Sequence, residues 1–156
     1  MHEKRTRLVP RPLRATLTWL LLGCVALLPL ACSRSDPELE LRAAITRMAQ
    51  AIERHAPGDL LEHVADDFTR ESATFGKRDA QRLLAGVLLR NEKITVSAVV
   101  TSVVLTGDRA RTKVRVIATG GSGLLPERGQ TWEFDAGWRR EKGTWRVFNA
   151  EWQEGI

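Results

Sequence analysis

The strongest constraint on this chain is a change of period at Lys93. Ahead of it apolar residues recur every three or four positions; behind it they alternate and β-branched residues take over. The run Ile94-Thr-Val-Ser-Ala-Val-Val-Thr-Ser-Val-Val-Leu105 meets Thr106-Gly107-Asp108, and then Arg111, Lys113 and Arg115 alternate with Ala110, Thr112, Val114 and Val116. Two β-forming arms around a Gly-Asp turn predict a long hairpin with one wet face and one covered face. A loop opening at Gly120-Gly-Ser-Gly123 reaches to about Gln130. A second hairpin is predicted from Thr131 to Arg139 and Thr144 to Gln153, around Glu141-Lys142-Gly143. Helices first and strands last predict an α+β domain, with helices on one side of an antiparallel sheet.

The helical half divides at its own punctuation. Ser35 or Asp36 can cap a helix beginning at Pro37, where a missing N–H costs least. Leu41, Ala44, Ile45, Met48 and Ile52 then share one face until Ala56-Pro57-Gly58. Asp59, with Glu62 three residues on, opens a short second helix carrying Leu60, Leu61 and Val64 into Asp66-Asp67-Phe68. After an extended piece from Phe68 to Phe75, a third helix from about Lys77 to Arg90 sets Ala80, Leu83, Leu84, Val87 and Leu88 in one stripe.

The first 31 residues obey different rules. Lys4, Arg5, Arg7, Arg11 and Arg14 precede an apolar run from Ala15 to Ala31, which stops at Cys32 and a polar stretch. A basic start, an apolar stretch and a small residue before a processing point make an export signal. Leu-Pro-Leu-Ala-Cys32 resembles the site at which bacterial lipoproteins are cut and lipidated, although Pro29 departs from the usual pattern. Cys24, in Leu-Leu-Gly-Cys, is the alternative lipidation site, and an uncleaved anchor is a third reading. Residues 1–31 are thus expected to be a signal peptide, 32–36 a lipidated N-terminus and tether, and 37–153 the folded domain. Ser33 after the cysteine resembles the sorting pattern of lipoproteins held on the outer membrane, facing the periplasm.

Removing that leader changes the charge argument. The chain has 24 basic and 19 acidic residues, but 19 and 18 after Ala31, so the folded part is near neutral. Nucleic-acid binding, which needs clustered cations on the folded part, is not expected. Both cysteines, Cys24 and Cys32, precede the folded domain, so thiolate metal sites and cysteine nucleophiles are excluded from it.

The order helix, short helix, brief strand, helix and long antiparallel strands resembles the nuclear transport factor 2-like superfamily, with its cystatin-like α+β cone. The resemblance rests on the first-helix stripe with Ala65-Asp-Asp-Phe68, the third helix, and the closing Trp138-Arg-Arg-Glu-Lys-Gly-Thr-Trp145-Arg-Val-Phe-Asn-Ala-Glu-Trp152. It implies three N-terminal helices packed on a curved antiparallel sheet that encloses a pocket, used by some members for isomerase or dehydratase chemistry and by others only for binding.

Catalysis of that kind sets a carboxylate or histidine against donors in an apolar pocket. Beyond the leader the chain has two histidines, His55 and His63, and no tyrosine. His55 closes the first helix and reads as structural. His63 and Asp67, four residues apart, would share a helix face and are the candidate acid–base pair; capping or surface charge is the simpler role for both. No metal site or cofactor is expected, because two histidines eight residues apart lack zinc spacing.

Trp132, Trp138, Trp145 and Trp152 all fall in the last 25 residues. A three-residue Glu141-Lys142-Gly143 loop would pair Arg140 with Thr144, placing Trp132, Phe134, Ala136 and Trp138 on one face with Phe148, Ala150 and Trp152, and leaving Trp145 and Val147 opposite. A two-residue Lys142-Gly143 turn is the alternative and would mix the faces. Phe68, Trp132, Phe134, Phe148 and Trp152 are the candidate pocket residues. The expected protein is a membrane-anchored envelope lipoprotein that binds a small apolar ligand or a partner protein; an acid–base enzyme and a homodimerisation module are the alternatives.

Overall fold

The structure, a computed structural model, describes residues 36–70, 74–121 and 128–155. The leader, with Cys24 and Cys32, lies outside the described residues, as does the tip of the glycine-rich loop. Residues 35–156 form one compact unit. No described helix is long and apolar enough to cross a membrane.

Helix α1 spans Pro37–Glu53, with Asp36 Oδ1 accepting from the Glu38 N–H at 2.9 Å and proline in its first turn. It buries Leu41, Ala44, Ile45, Ala49 and Ala51. His55, at φ 55°, supplies the left-handed turn that ends it. Helix α2 is Pro57–Leu61, starting at the proline rather than at Asp59. None of its residues is fully buried, although Leu60 and Leu61 pack against the core, and a helix this short gains little from its own hydrogen bonds.

The chain from Val64 is therefore extended, not helical. Strand β1 spans Val64–Arg70, burying Val64, Ala65 and Phe68 while Asp66 and Asp67 face solvent. After β2 (Phe75–Gly76), helix α3 spans Lys77–Arg90, with the Gly76 N–H donating to Asp79 Oδ2 at 3.0 Å. The long strands are β3 (Lys93–Thr106), β4 (Arg109–Gly121), β5 (Arg128–Glu141) and β6 (Thr144–Glu154). The glycine-rich segment is thus strand as far as Gly121, and β5 resumes at Arg128.

The six strands lie in the order β2-β1-β6-β5-β4-β3. All neighbours are antiparallel except β1 and β6, which run parallel, so the sheet is mixed rather than wholly antiparallel. That one parallel contact follows from β1 being a strand, because the helix α3 then carries the chain across to the far edge.

The closing hairpin turns in two residues, not three. Lys142 and Gly143 have φ of 50° and 84°, the left-handed pair a tight hairpin needs, and Glu141 pairs with Thr144. The mixing of faces that this turn would cause is corrected by a bulge in β6: Trp138 pairs with Val147, but Gly137 pairs with Asn149. One extra residue reverses the alternation. Trp145 and Val147 consequently join Trp138, Ala136 and Ala150 in the core, and Phe148 leaves it.

Edge strand β3 is protected by α1. Arg42 Nη1 donates to the Val100 carbonyl at 3.3 Å, and Glu53 Oε1 accepts from the Val96 N–H at 2.8 Å. Two backbone groups that would template another strand are thereby occupied.

Candidate functional site

The inner face of the sheet changes along its length. Beside the Gly107-Asp108 and Lys142-Gly143 turns it is filled: Thr112, Trp138 and Trp145 are 1%, 3% and 2% exposed, and the Trp138 indole donates to Thr112 Oγ1 at 2.9 Å. Toward the opposite end Val116, Trp132, Phe134 and Trp152 are only half-buried. There Trp152 stacks on Phe134 and meets Phe75 edge-on, both with ring centroids 5.6 Å apart. The Arg70 guanidinium lies 4.0 Å from its ring, and Arg70 Nη2 donates to the Trp152 carbonyl at 3.2 Å.

Helix α3 matches this openness. Of its predicted stripe only Ala80 packs against the core, while Leu84, Val87 and Leu88 are half-buried and Leu83 is 49% exposed. The stripe therefore does not close the core as its periodicity suggests.

The candidate pocket aromatics divide accordingly. Phe68 is buried in the core, and Phe134 and Trp152 form the half-open cluster. Phe148 is on the outer face, where its ring approaches Gly137 and has the Arg109 and Arg139 guanidinia 5.8 and 5.6 Å from its centroid. It shares a shallow cavity of about 370 Å³ with Val104 and Arg111, outside the cone.

His63 and Asp67 are not brought together. His63 sits in the turn after α2, 7% exposed; its ring Nδ1 donates to the Trp145 carbonyl at 3.0 Å, and its own carbonyl accepts from the Val147 N–H at 2.9 Å. Asp67 lies on the strand, pointing to solvent, where both its oxygens accept from Arg139 Nη1 and Nη2 at 2.9 and 2.6 Å. The shared helix face on which the acid–base pair depended does not exist. The Arg139 guanidinium holds the Asp67 carboxyl below the usual carboxylate range, and Asp67 together with Glu141 raises Arg139. Lys77, bonded to Asp66 Oδ1 and the Val64 carbonyl at 2.8 Å each, lowers Asp66 in the same way. His55 Nε2 donates to the Asn91 carbonyl at 2.9 Å, tying the end of α1 to the end of α3.

A second hollow, of about 410 Å³, lies between α1, α2 and the β5–β6 turn. Glu40, Arg47, Arg54 and His63 are among its walls. Sequence reasoning singled out His63 but not the two arginines. Arg139, Arg70 and Phe75 were likewise missed; their partners are remote in sequence.

These features define an α+β cone with a mixed, curved sheet. It is the nuclear transport factor 2-like, cystatin-like fold, as solved structures show. A scytalone dehydratase candidate from Novosphingobium aromaticivorans DSM 12444 superposes with a TM-score of 0.65 at 9% identity, over 76% of this chain and 84% of the other. A candidate dehydratase of the nuclear transport factor 2-like family from Streptomyces avermitilis gives 0.62 at 17% identity, over 75% and 95%. A protein of unknown function with a cystatin-like fold, from Nostoc punctiforme PCC 73102, gives 0.55 at 13%, over 76% and 90%. No family model and no curated protein matches the chain.

Proposed function

We propose that this chain is a bacterial envelope lipoprotein, anchored through Cys32 and facing the periplasm from the outer membrane, whose cone binds a small apolar molecule at its open end. The observation that carries the binding reading is the burial gradient. Apolar side chains are normally sequestered where the fold permits it, yet Phe134, Trp152, Leu84, Val87 and Leu88 are only half-buried at the margin of a filled core. An aromatic cluster with one cation, Arg70, is the usual composition of a small-molecule site.

The test is a titration of the Cys32→Ser protein with 1-aminoanthracene, an apolar fluorophore. Saturable enhancement, lost in Trp152→Ala and in Leu84→Asp but kept in Phe148→Ala, is expected. Enhancement that ignores the first two substitutions would sink the assignment. The anchor is tested separately: Cys32→Ser should abolish acyl labelling and release the protein from membranes, and continued labelling would move the site to Cys24.

A second reading concerns assembly. Val99, Val104 and Ile117 are 51%, 60% and 42% exposed on the outer side of the β3–β4 hairpin, a β-branched surface suited to a homodimer. A sedimenting monomer at high micromolar concentration would remove it.

A further inference from the structure

The hollow between α1, α2 and the β5–β6 turn is separate from the cone's open end and is built differently. Glu40 and Arg47 lie seven residues apart on one face of α1, and Arg54, its C-cap residue, follows at the same spacing, so all three line the hollow. Arg54 is held by Asp59 at 3.2 Å, and Glu40 by Arg140. The charges left uncommitted among the described residues lining it are one guanidinium, Arg47, and one carboxylate, Glu62. Between them stands His63, more than nine-tenths buried. Its Nδ1 is spent on the Trp145 carbonyl, and no partner for Nε2 is found among the described residues. Trp145, also in the wall, keeps its indole nitrogen buried with no hydrogen-bond partner among the described residues, which is costly unless something meets it.

The charge pattern selects the occupant. A bare anion would meet Asp59, Glu40 and Glu62 as well as Arg47, and a bare cation would meet Arg47 and Arg54. Metal binding does not fit, since no three His, Cys, Asp or Glu among the described residues converge on one point. We propose that this cleft binds a zwitterion, an α-amino acid, with its carboxylate on Arg47, its ammonium on Glu62, and His63 Nε2 and the Thr144 hydroxyl as neutral partners. A volume of about 410 Å³ admits the backbone groups and a side chain.

The experiment is isothermal titration of the full chain, in detergent, with L-alanine, which carries both charged groups on the smallest chiral frame. Saturable one-to-one binding is expected, weakened at least about tenfold by Arg47→Gln and by Glu62→Gln, because each removes a charge-assisted partner. Acetate and ethylammonium, each with one of the two charges, should bind at least about tenfold more weakly than L-alanine. Both substituted residues are exposed, and Arg78→Gln on α3 should leave binding unchanged. Absence of saturable L-alanine binding, acetate binding as well as L-alanine, or indifference to either glutamine substitution would overturn the proposal. None of these results bears on 1-aminoanthracene at the open end.

Discussion

The two ends of the sheet's inner face are built from the same residue types but finished differently. Around the hairpin turns, two tryptophans, a threonine and the α1 stripe are buried together, and the Trp138 indole is satisfied internally by the Thr112 hydroxyl. At the far end, two more tryptophans and a phenylalanine are left half-covered under a helix that contributes little but Ala80. Hydrophobicity alone does not separate these regions. What separates them is whether a helix lies close enough to complete the packing, and that makes one end a stability element and the other a candidate site.

Truncating one tryptophan at each end should separate the two regions most strongly. Trp138→Ala should cost about 4 kcal/mol, as expected for emptying a fully packed aromatic position. Trp152→Ala should cost about 2 kcal/mol, because the ring is only partly covered. Urea unfolding followed by far-ultraviolet circular dichroism measures both. Equal losses would mean that the open end is packed as tightly as the closed one.

Next in size is Thr112→Val, which keeps the shape and removes the acceptor. Leaving the Trp138 indole N–H buried without a partner should cost about 1–3 kcal/mol. A neutral result would show that the indole finds another acceptor and that the closed end is less rigidly specified than its burial implies. Smaller again, Asp36→Ala should cost about 1 kcal/mol through the lost cap on α1, seen as a lower urea midpoint with an unchanged slope.

The distribution of what was legible follows the range of the interactions. Pro37, Lys77, Arg90 and the Thr106–Arg109 turn are marked by local signals, and the structure places α1, α3 and the first hairpin accordingly. Val64 to Asp67 carried a helical spacing that lost to pairing with β6, whose partner residues lie some eighty positions away. The bulge at Phe148 was illegible for a similar reason. Either turn length leaves some apolar residue on the wrong side, and only the combination of a two-residue turn with an inserted residue buries Trp145, Val147, Ala150 and Trp138 together. His63 was visible as an unusual residue, but its partner is the Trp145 carbonyl, which no side-chain pattern announces.

The smallest effect probes the strap over the closed end. Asp67 on β1 and Arg139 on β5 bond across the intervening β6 on the outer face. Because Arg139 holds the Asp67 carboxyl below its ordinary value near 3.9, the pair contributes above about pH 4 and its contribution is lost as pH falls through the lowered folded value. The Asp67 side chain is 66% exposed, so screening should limit the gain to under about 1 kcal/mol. Asp67→Asn should therefore be slightly less stable than the parent at pH 7, and the two unfolding curves should converge toward pH 2. Added salt should narrow the gap at pH 7 as well. A difference that survives at pH 2 would mean the asparagine perturbs β1 itself. The strap would then be incidental, and the closed end would owe its stability to packing alone.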